Sequence, residues 1–66
     1  MFNLDQLIRD GEERVEKARE KLKEAAIQVS GASEVVRAHV LSHWEAELAE
    51  AEGILATFRR EKELRE

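Results

Sequence analysis

Residues 41–58 read LSHWEAELAEAEGILATF, and the apolar residues of this stretch decide the fold. They recur at alternating gaps of three and four positions: Leu41, Trp44, Leu48, Ala51, Leu55 and Phe58. This spacing brings them onto one stripe of an α-helix, as is typical of a helix that packs lengthwise against another helix. We therefore expect a long helix here and a second apolar stripe elsewhere in the chain.

The matching stripe lies in the N-terminal half. Its members alternate gaps of four and three positions: Leu4, Ile8, Gly11, Val15, Ala18, Leu22, Ala25 and Val29. This pattern predicts a first helix over about residues 4–29. Asn3 is a favourable N-cap for it, and Gln6 has the position from which a capping-box side chain reaches back to the N-cap backbone N–H.

Residues 30–33 interrupt the helical pattern and predict a turn. Gly31 suits the left-handed conformation that ends many helices, and Ser33 followed by Glu34 suits the start of a second helix over about residues 34–64. A turn this short makes consecutive helices antiparallel neighbours. We therefore predict that residues 1–66 form a single all-α domain, an antiparallel two-helix hairpin.

A reversal of the chain centred on Gly31 also predicts which stripe residues face each other. Four layers pair large residues with each other: Leu22 with Leu41, Val15 with Leu48, Ile8 with Leu55, and Leu4 with Phe58. Two layers between them contain a small residue: Ala18 faces Trp44, and Gly11 faces Ala51. Small residues at alternate stripe positions of the first helix permit the close antiparallel contact known as an Alacoil.

Charged residues flank both stripes, and the same pairing predicts their partners across the two helices. It gives two pairs of opposite charge and one contact of like charge: Arg14 with Glu47, Arg19 with Glu45, and Glu12 with Glu52. The like-charge contact should destabilise the hairpin unless a basic group from the arginine-rich tail, or from another chain, comes near it.

The chain has 66 residues and no cysteine, which limits what can stabilise the fold. A core of this size typically supplies about 3–5 kcal/mol unless a disulfide, a metal or oligomerisation adds to it, and the first of these is excluded. A formal net charge of −4, with interleaved acids and bases, disfavours nonspecific binding to nucleic acids or anionic membranes. No wholly apolar run exceeds three residues, so we expect no signal peptide or membrane span and a cytoplasmic location.

The apolar surface is wider than a two-helix contact requires. Val36, Val40 and Ile54 widen the stripe of the second helix, and Leu7 extends the same side of the first. Exposed apolar area of this kind is often an association surface, and two hairpins docked on it would form a four-helix bundle. The predicted interface comprises Leu7, Val36, Val40, Trp44, Ile54 and Phe58. We expect a homodimer or higher oligomer, with a second protein chain as an alternative partner.

Few residues point to chemistry. His39 and His43 stand one helical turn apart, a spacing that can chelate zinc, but two histidines on a polar face without cysteine or a HExxH motif are predicted to be surface residues. The carboxylates of a thin hairpin are solvated and no pocket collects them. We therefore expect no metal, no cofactor, no small-molecule substrate and no enzymatic activity. Trp44 has two interpretations, a core residue packed on Ala18 or a binding hot spot.

These observations predict a small non-enzymatic protein–protein interaction or assembly module, a self-associating hairpin that acts as an adaptor, co-chaperone or regulator. In length, helix number and glycine turn the chain resembles the Rop-type RNA-binding hairpins, which dimerise into four-helix bundles, and the small hairpin co-chaperones of type III secretion needles. The first resemblance implies an alternative, a nucleic-acid-binding regulator with a basic strip that includes Arg14, Lys17 and Lys21. A further alternative is an inhibitor that places acidic residues in the basic cleft of its target: Glu45, Glu47, Glu50 and Glu52.

Overall fold

The computed structural model describes residues 3–65. Helix α1 comprises Leu4–Gln28 and helix α2 comprises Glu34–Arg65, and the two pack against each other along an elongated body of 49 × 16 × 14 Å. The prediction of an all-helical, two-helix hairpin is thus confirmed. Neither helix, within the described range, has a segment long and apolar enough to cross a membrane.

Helix α1 begins at an N-cap of the predicted kind. The backbone of Asn3 is extended, and its side-chain oxygen accepts a hydrogen bond from the backbone N–H of Gln6 at 3.1 Å. The capping-box prediction for Gln6 is wrong, because its side-chain amide donates to the carboxylate of Asp10 at 2.9 Å, one turn further along. A hydrogen bond to an ionised carboxylate is stronger than one between neutral groups, which favours the forward partner.

The turn between the helices does not contain the left-handed residue that was predicted at Gly31, whose φ is not positive. Instead the backbone keeps turning beyond the end of α1. The N–H of Val29 donates to the carbonyl of Ala25 at 3.0 Å, and the N–H of Ala32 donates to the carbonyl of Val29, also at 3.0 Å. The reversal of the chain is therefore completed later than a glycine cap would allow.

Helix α2 begins after Ser33, as the sequence predicts. The hydroxyl of Ser33 accepts a hydrogen bond from the backbone N–H of Val36 at 3.3 Å, and its carbonyl accepts one from the N–H of Arg37 at 2.9 Å. The side-chain bond satisfies one of the backbone donors that every helix leaves unpaired at its start. Ser33 is thus both the N-cap of α2 and the point about which the chain reverses.

The residue that faces Gly11 differs from the predicted one by about one helical turn. Gly11 lies against Leu55, not Ala51: a Cβ atom built on Gly11 would be 3.1 Å from Cδ1 and 3.8 Å from Cα of Leu55. The late turn explains the difference. Moving the centre of the reversal from Gly31 to Ser33 displaces the residue that faces Gly11 by about four positions, or about 6 Å along the helix axis.

The ion pair between Lys62 and Asp5, at 2.9 Å, fits this displaced pairing. The predicted opposition of Gly11 to Ala51 is wrong, whereas Ile8 packs against the buried cluster that contains Leu55, in line with its predicted layer. Val15 shares a buried cluster with Ala51 and Leu55, and its predicted partner Leu48 packs against that cluster.

The core is a single line of mostly small residues. The buried positions are Gly11, Val15, Ala18 and Ala25 of α1 with Ala51 and Leu55 of α2. Within residues 3–65 no large side chain is fully buried. Small side chains at the contact let the two backbones approach closely, but they also bury little apolar area. The hairpin by itself therefore has a weak core.

Replacing Gly31 with alanine tests the conformation of the turn. A Cβ at Gly31 meets nothing within 4 Å, and the residue does not need a positive φ. We expect Gly31→Ala to raise the free energy of unfolding by about 0.4–1 kcal/mol, because alanine restricts the unfolded chain. Chemical denaturation followed by circular dichroism measures this change. A loss of stability instead would show that the left-handed conformation is used after all.

A double-mutant cycle tests the pairing. We expect Gly11→Leu to cost roughly 1–3 kcal/mol by overpacking against Leu55, and Leu55→Ala to cost roughly 2–5 kcal/mol by leaving a cavity. Because each change relieves the other, the double variant should lose less than the sum of the two by about 0.5–3 kcal/mol. Urea denaturation in a buffer with the osmolyte TMAO would keep the weaker variants measurable.

The matched control for this cycle is Gly53, because a Cβ atom built on it meets nothing within 4 Å. Gly53→Leu should stabilise α2 by roughly 0.5–1 kcal/mol through helix propensity alone. Its effect should add to that of Leu55→Ala within about 0.5 kcal/mol. Additive losses for Gly11→Leu and Leu55→Ala would contradict the pairing of Gly11 with Leu55.

Candidate functional site

The two-helix contact leaves most of the large apolar side chains incompletely covered. The residues that remain half-buried are Leu4, Leu7, Ile8, Leu22, Val29, Val40, Leu41, Trp44, Leu48, Ile54 and Phe58. A second helix covers only the side of each residue that faces it, so residues as large as these keep one side open. This uncovered apolar area is available for contact with another molecule.

One long side of the hairpin collects several of these residues, and its position is given by the ion pair between Arg14 and Glu47. Leu7 lies one heptad before Arg14, while Val40 and Ile54 lie one heptad before and after Glu47. Residues one heptad apart share a face of a packed helix. We call this side, with these five residues, the open flank. Three of the six predicted interface residues therefore share it.

A shallow hollow of about 300 Å³ opens on the same side beside Trp44. Ala18 lines it, and so do charged residues of both helices: Asp10, Glu13, Arg14, Lys17, Lys21 and Glu47. Trp44 is half-buried, and the ring of His43 packs edge-on against it with a centroid distance of 4.9 Å. Trp44 thus borders the hollow with Ala18 without being enclosed by it, so part of the indole remains available for contact.

The ion pair at the centre of the open flank is well formed. The guanidinium of Arg14 donates to Oε1 of Glu47 at 2.9 Å and lies 3.7 Å from Oε2 of Glu50. The hydrogen bond that Arg14 donates to Glu47 raises the pKa of Arg14 above its usual value, although partial loss of solvent opposes the rise. The predicted pairing of Arg14 with Glu47 is confirmed. Arg14 is therefore held across the two helices and does not extend freely into solvent.

The opposite side of the hairpin is covered by charge. Arg59 pairs with Glu12 at 3.0 Å, and Arg19 pairs with Glu52 at 3.8 Å. We call these four residues the ion-paired flank. The predicted pairing of Arg19 with Glu45 is wrong, because Arg19 pairs with Glu52. Glu12 and Glu52 do line one hollow, and Arg59 at the start of the arginine-rich tail pairs with Glu12, which is the predicted way to relieve the like-charge contact. The two sides of the hairpin therefore differ in character.

The turn end forms a third surface. Residues 25–41 contain only two charged residues, Glu34 and Arg37, although 39% of the whole chain is charged. Ile27 and Val35 are 75% and 80% exposed there, and Val36 is 49% exposed. Of these three, sequence reasoning had selected only Val36. The low charge of residues 25–41 could have indicated Ile27 and Val35 as well.

The remaining candidate residues do not form a site. His39 and His43 are both exposed, and within residues 3–65 no group of three or more side chains could hold a metal ion. Phe58 is half-buried at the stripe position two heptads beyond Trp44. The absence of a metal and of enzymatic activity stays a prediction.

Comparison of the chain with protein-family models, curated proteins and solved structures gives no match. The likeness to Rop-type hairpins and to the secretion co-chaperones therefore remains one of architecture. The functional argument depends on the surfaces of the hairpin itself, namely the open flank, the ion-paired flank and the turn end.

Two valines of different exposure test whether the turn end contributes to the fold. Val35 is 80% exposed and Val15 is 7% exposed. We expect Val35→Ala to change the free energy of unfolding by less than about 0.5 kcal/mol, and Val15→Ala to lower it by about 1–3 kcal/mol. Thermal denaturation of both variants measures the contrast. Equal losses would mean that Val35 is covered by something that the isolated hairpin does not contain.

Proposed function

We propose that this chain is a non-enzymatic protein–protein interaction module, a helical hairpin that associates with a second copy of itself. Its role would be that of an adaptor, co-chaperone or regulator in an assembly. The observation that supports this proposal is the open flank, where Leu7, Val40 and Ile54 remain half-buried beside Trp44. Exposed apolar surface of this kind often marks a contact with another protein.

Stability arguments point the same way. A hairpin whose buried core is a single line of small residues has little apolar burial to offset the conformational entropy lost on folding. Each half-buried Leu, Ile or Phe that becomes covered adds about 25 cal/mol for every Å² of apolar surface removed from water. Association on the open flank would therefore stabilise the fold as well as create the interaction.

The two alternatives receive less support from the side-chain contacts. A nucleic-acid-binding strip would need unpaired basic residues, but Arg14 is engaged by Glu47 and Glu50. An acidic inhibitor would need available carboxylates, but Glu47 and Glu50 are paired with Arg14, and Glu52 with Arg19. Nucleic-acid binding that weakens steeply with salt would nevertheless revive the first alternative.

Substitution of Ile54 tests the proposal. We expect the unmodified chain to sediment as a dimer or larger species at high micromolar concentration. Ile54→Glu places a charge on the open flank and should weaken self-association by about tenfold or more, since burial of an unpaired carboxylate is costly. Sedimentation equilibrium measures the association, and circular dichroism checks that the helices persist.

The matched control is Val35→Glu, which adds the same charge at the exposed turn end. It should leave self-association within about threefold of the unmodified chain. A fully helical chain that stays monomeric at high micromolar concentration would contradict the self-association on which the proposal depends.

A further inference from the structure

Four charged residues of α1 form one edge of the hollow beside Trp44, and the sign of their charge changes along the helix. Asp10 and Glu13 lie on the side of the chain termini, and Lys17 and Lys21 lie on the side of the turn. One end of this edge is therefore acidic and the other basic. A parallel copy would bring like charges together, whereas an antiparallel copy would bring opposite charges together.

We infer that the occupant of the open flank is a second copy of this chain, docked antiparallel about a two-fold axis. Trp44 of each copy then packs beside Phe58 of the other. In this arrangement Asp10 meets Lys21 of the second copy, and Glu13 meets its Lys17. Because Val15 lies about midway between the members of each pair, the axis crosses α1 near Val15. This inference rests on the proposed self-association and adds to it the face, the orientation and the contacts.

The aromatic residues of α2 locate the same axis independently. Trp44 and Phe58 are two heptads apart on one stripe, both are half-buried, and the residue midway between them is Ala51. Ala51 belongs to the same buried cluster as Val15, so the two midpoints lie at the same height along the hairpin. Aromatic side chains favour contact with each other, and the hollow beside Trp44 provides space for a ring.

The dimensions fit a dimer of ordinary size. A long face of a body 49 Å by 16 Å has an area of about 800 Å², which is about what each partner buries in a standard protein–protein interface. A two-fold contact uses the same patch on both copies, so every pair occurs twice. Lys21 already lies 3.8 Å from Glu24, but that pair is exposed and replaceable.

Charge reversal tests the orientation. Asp10→Lys with Glu13→Lys makes the edge wholly basic, and Lys17→Glu with Lys21→Glu makes it wholly acidic. At low salt each double variant should self-associate about tenfold or more weakly than the unmodified chain, because like charges now meet. The quadruple variant carries all four changes and restores opposite charges in the antiparallel dimer only. It should return to within about threefold of the unmodified chain by sedimentation equilibrium.

Fluorescence of Trp44, the single tryptophan, tests the aromatic contact. Phe58 is about 21 Å from Trp44 along the same helix, so its removal can affect the indole only through the second copy. Emission of the unmodified chain should move to shorter wavelength as the dimer forms. At concentrations where sedimentation shows Phe58→Ala to be equally dimeric, its emission should stay at longer wavelength than that of the unmodified chain.

The outcomes separate the two proposals. An unmodified chain that stays monomeric would overturn self-association itself, and the antiparallel arrangement with it. A dimer whose double variants associate normally, or whose quadruple variant is as weak as the double variants, would leave self-association standing and overturn the antiparallel arrangement. A dimer with unchanged emission in Phe58→Ala would overturn the contact between Trp44 and Phe58.

Discussion

Two helices packed side by side can enclose only the side chains that lie directly between them, and the rest of this structure depends on that constraint. The contact of Gly11 with Leu55 and the burial of Ala51 show the result, a core in which small residues let two backbones approach. Trp44 is too large to be enclosed in the same way and keeps an open side. Close packing along one line and exposed apolar surface beside it are thus two consequences of one geometry.

The helices could be predicted from sequence, but their relative position could not be read from the stripes alone. A stripe residue recurs about every 3.5 positions, so sliding one helix past the other by one turn still brings apolar residues together. The turn decided between these positions, and Gly31 was misleading because the backbone keeps turning up to Ala32. The charged residues beside the contact could have indicated the relative position of the two helices. The predicted pairing left Glu12 and Glu52 with only each other, whereas in the structure Arg59 pairs with Glu12 and Arg19 pairs with Glu52.

The candidate site was predictable in part for a related reason. Leu7, Val40 and Ile54 follow heptad positions, so the spacing that predicts the helices also places them on one flank. Ile27 and Val35 follow no such spacing, because they lie where the chain leaves one helix and enters the next. Their exposure depends on the path of the turn, which local propensity did not determine. A search for stretches of low charge, rather than for periodicity, would have identified them.

The contrast between the two flanks bears on how large an assembly this hairpin could form. On the ion-paired flank Arg59 holds Glu12 and Arg19 holds Glu52, and covering them with another protein would remove paired charges from water at a cost that apolar contacts must offset. The side that includes the open flank also has charges, namely the pair of Arg14 with Glu47 and the residues around the hollow beside Trp44, but Leu7, Val40 and Ile54 lie among them half-buried. A two-fold contact uses the same patch on both copies. If association is favourable on the open flank and unfavourable on the ion-paired flank, such a contact gives a closed dimer and does not propagate into a filament. The charges that keep the hairpin together on one side would therefore also limit its association to the other.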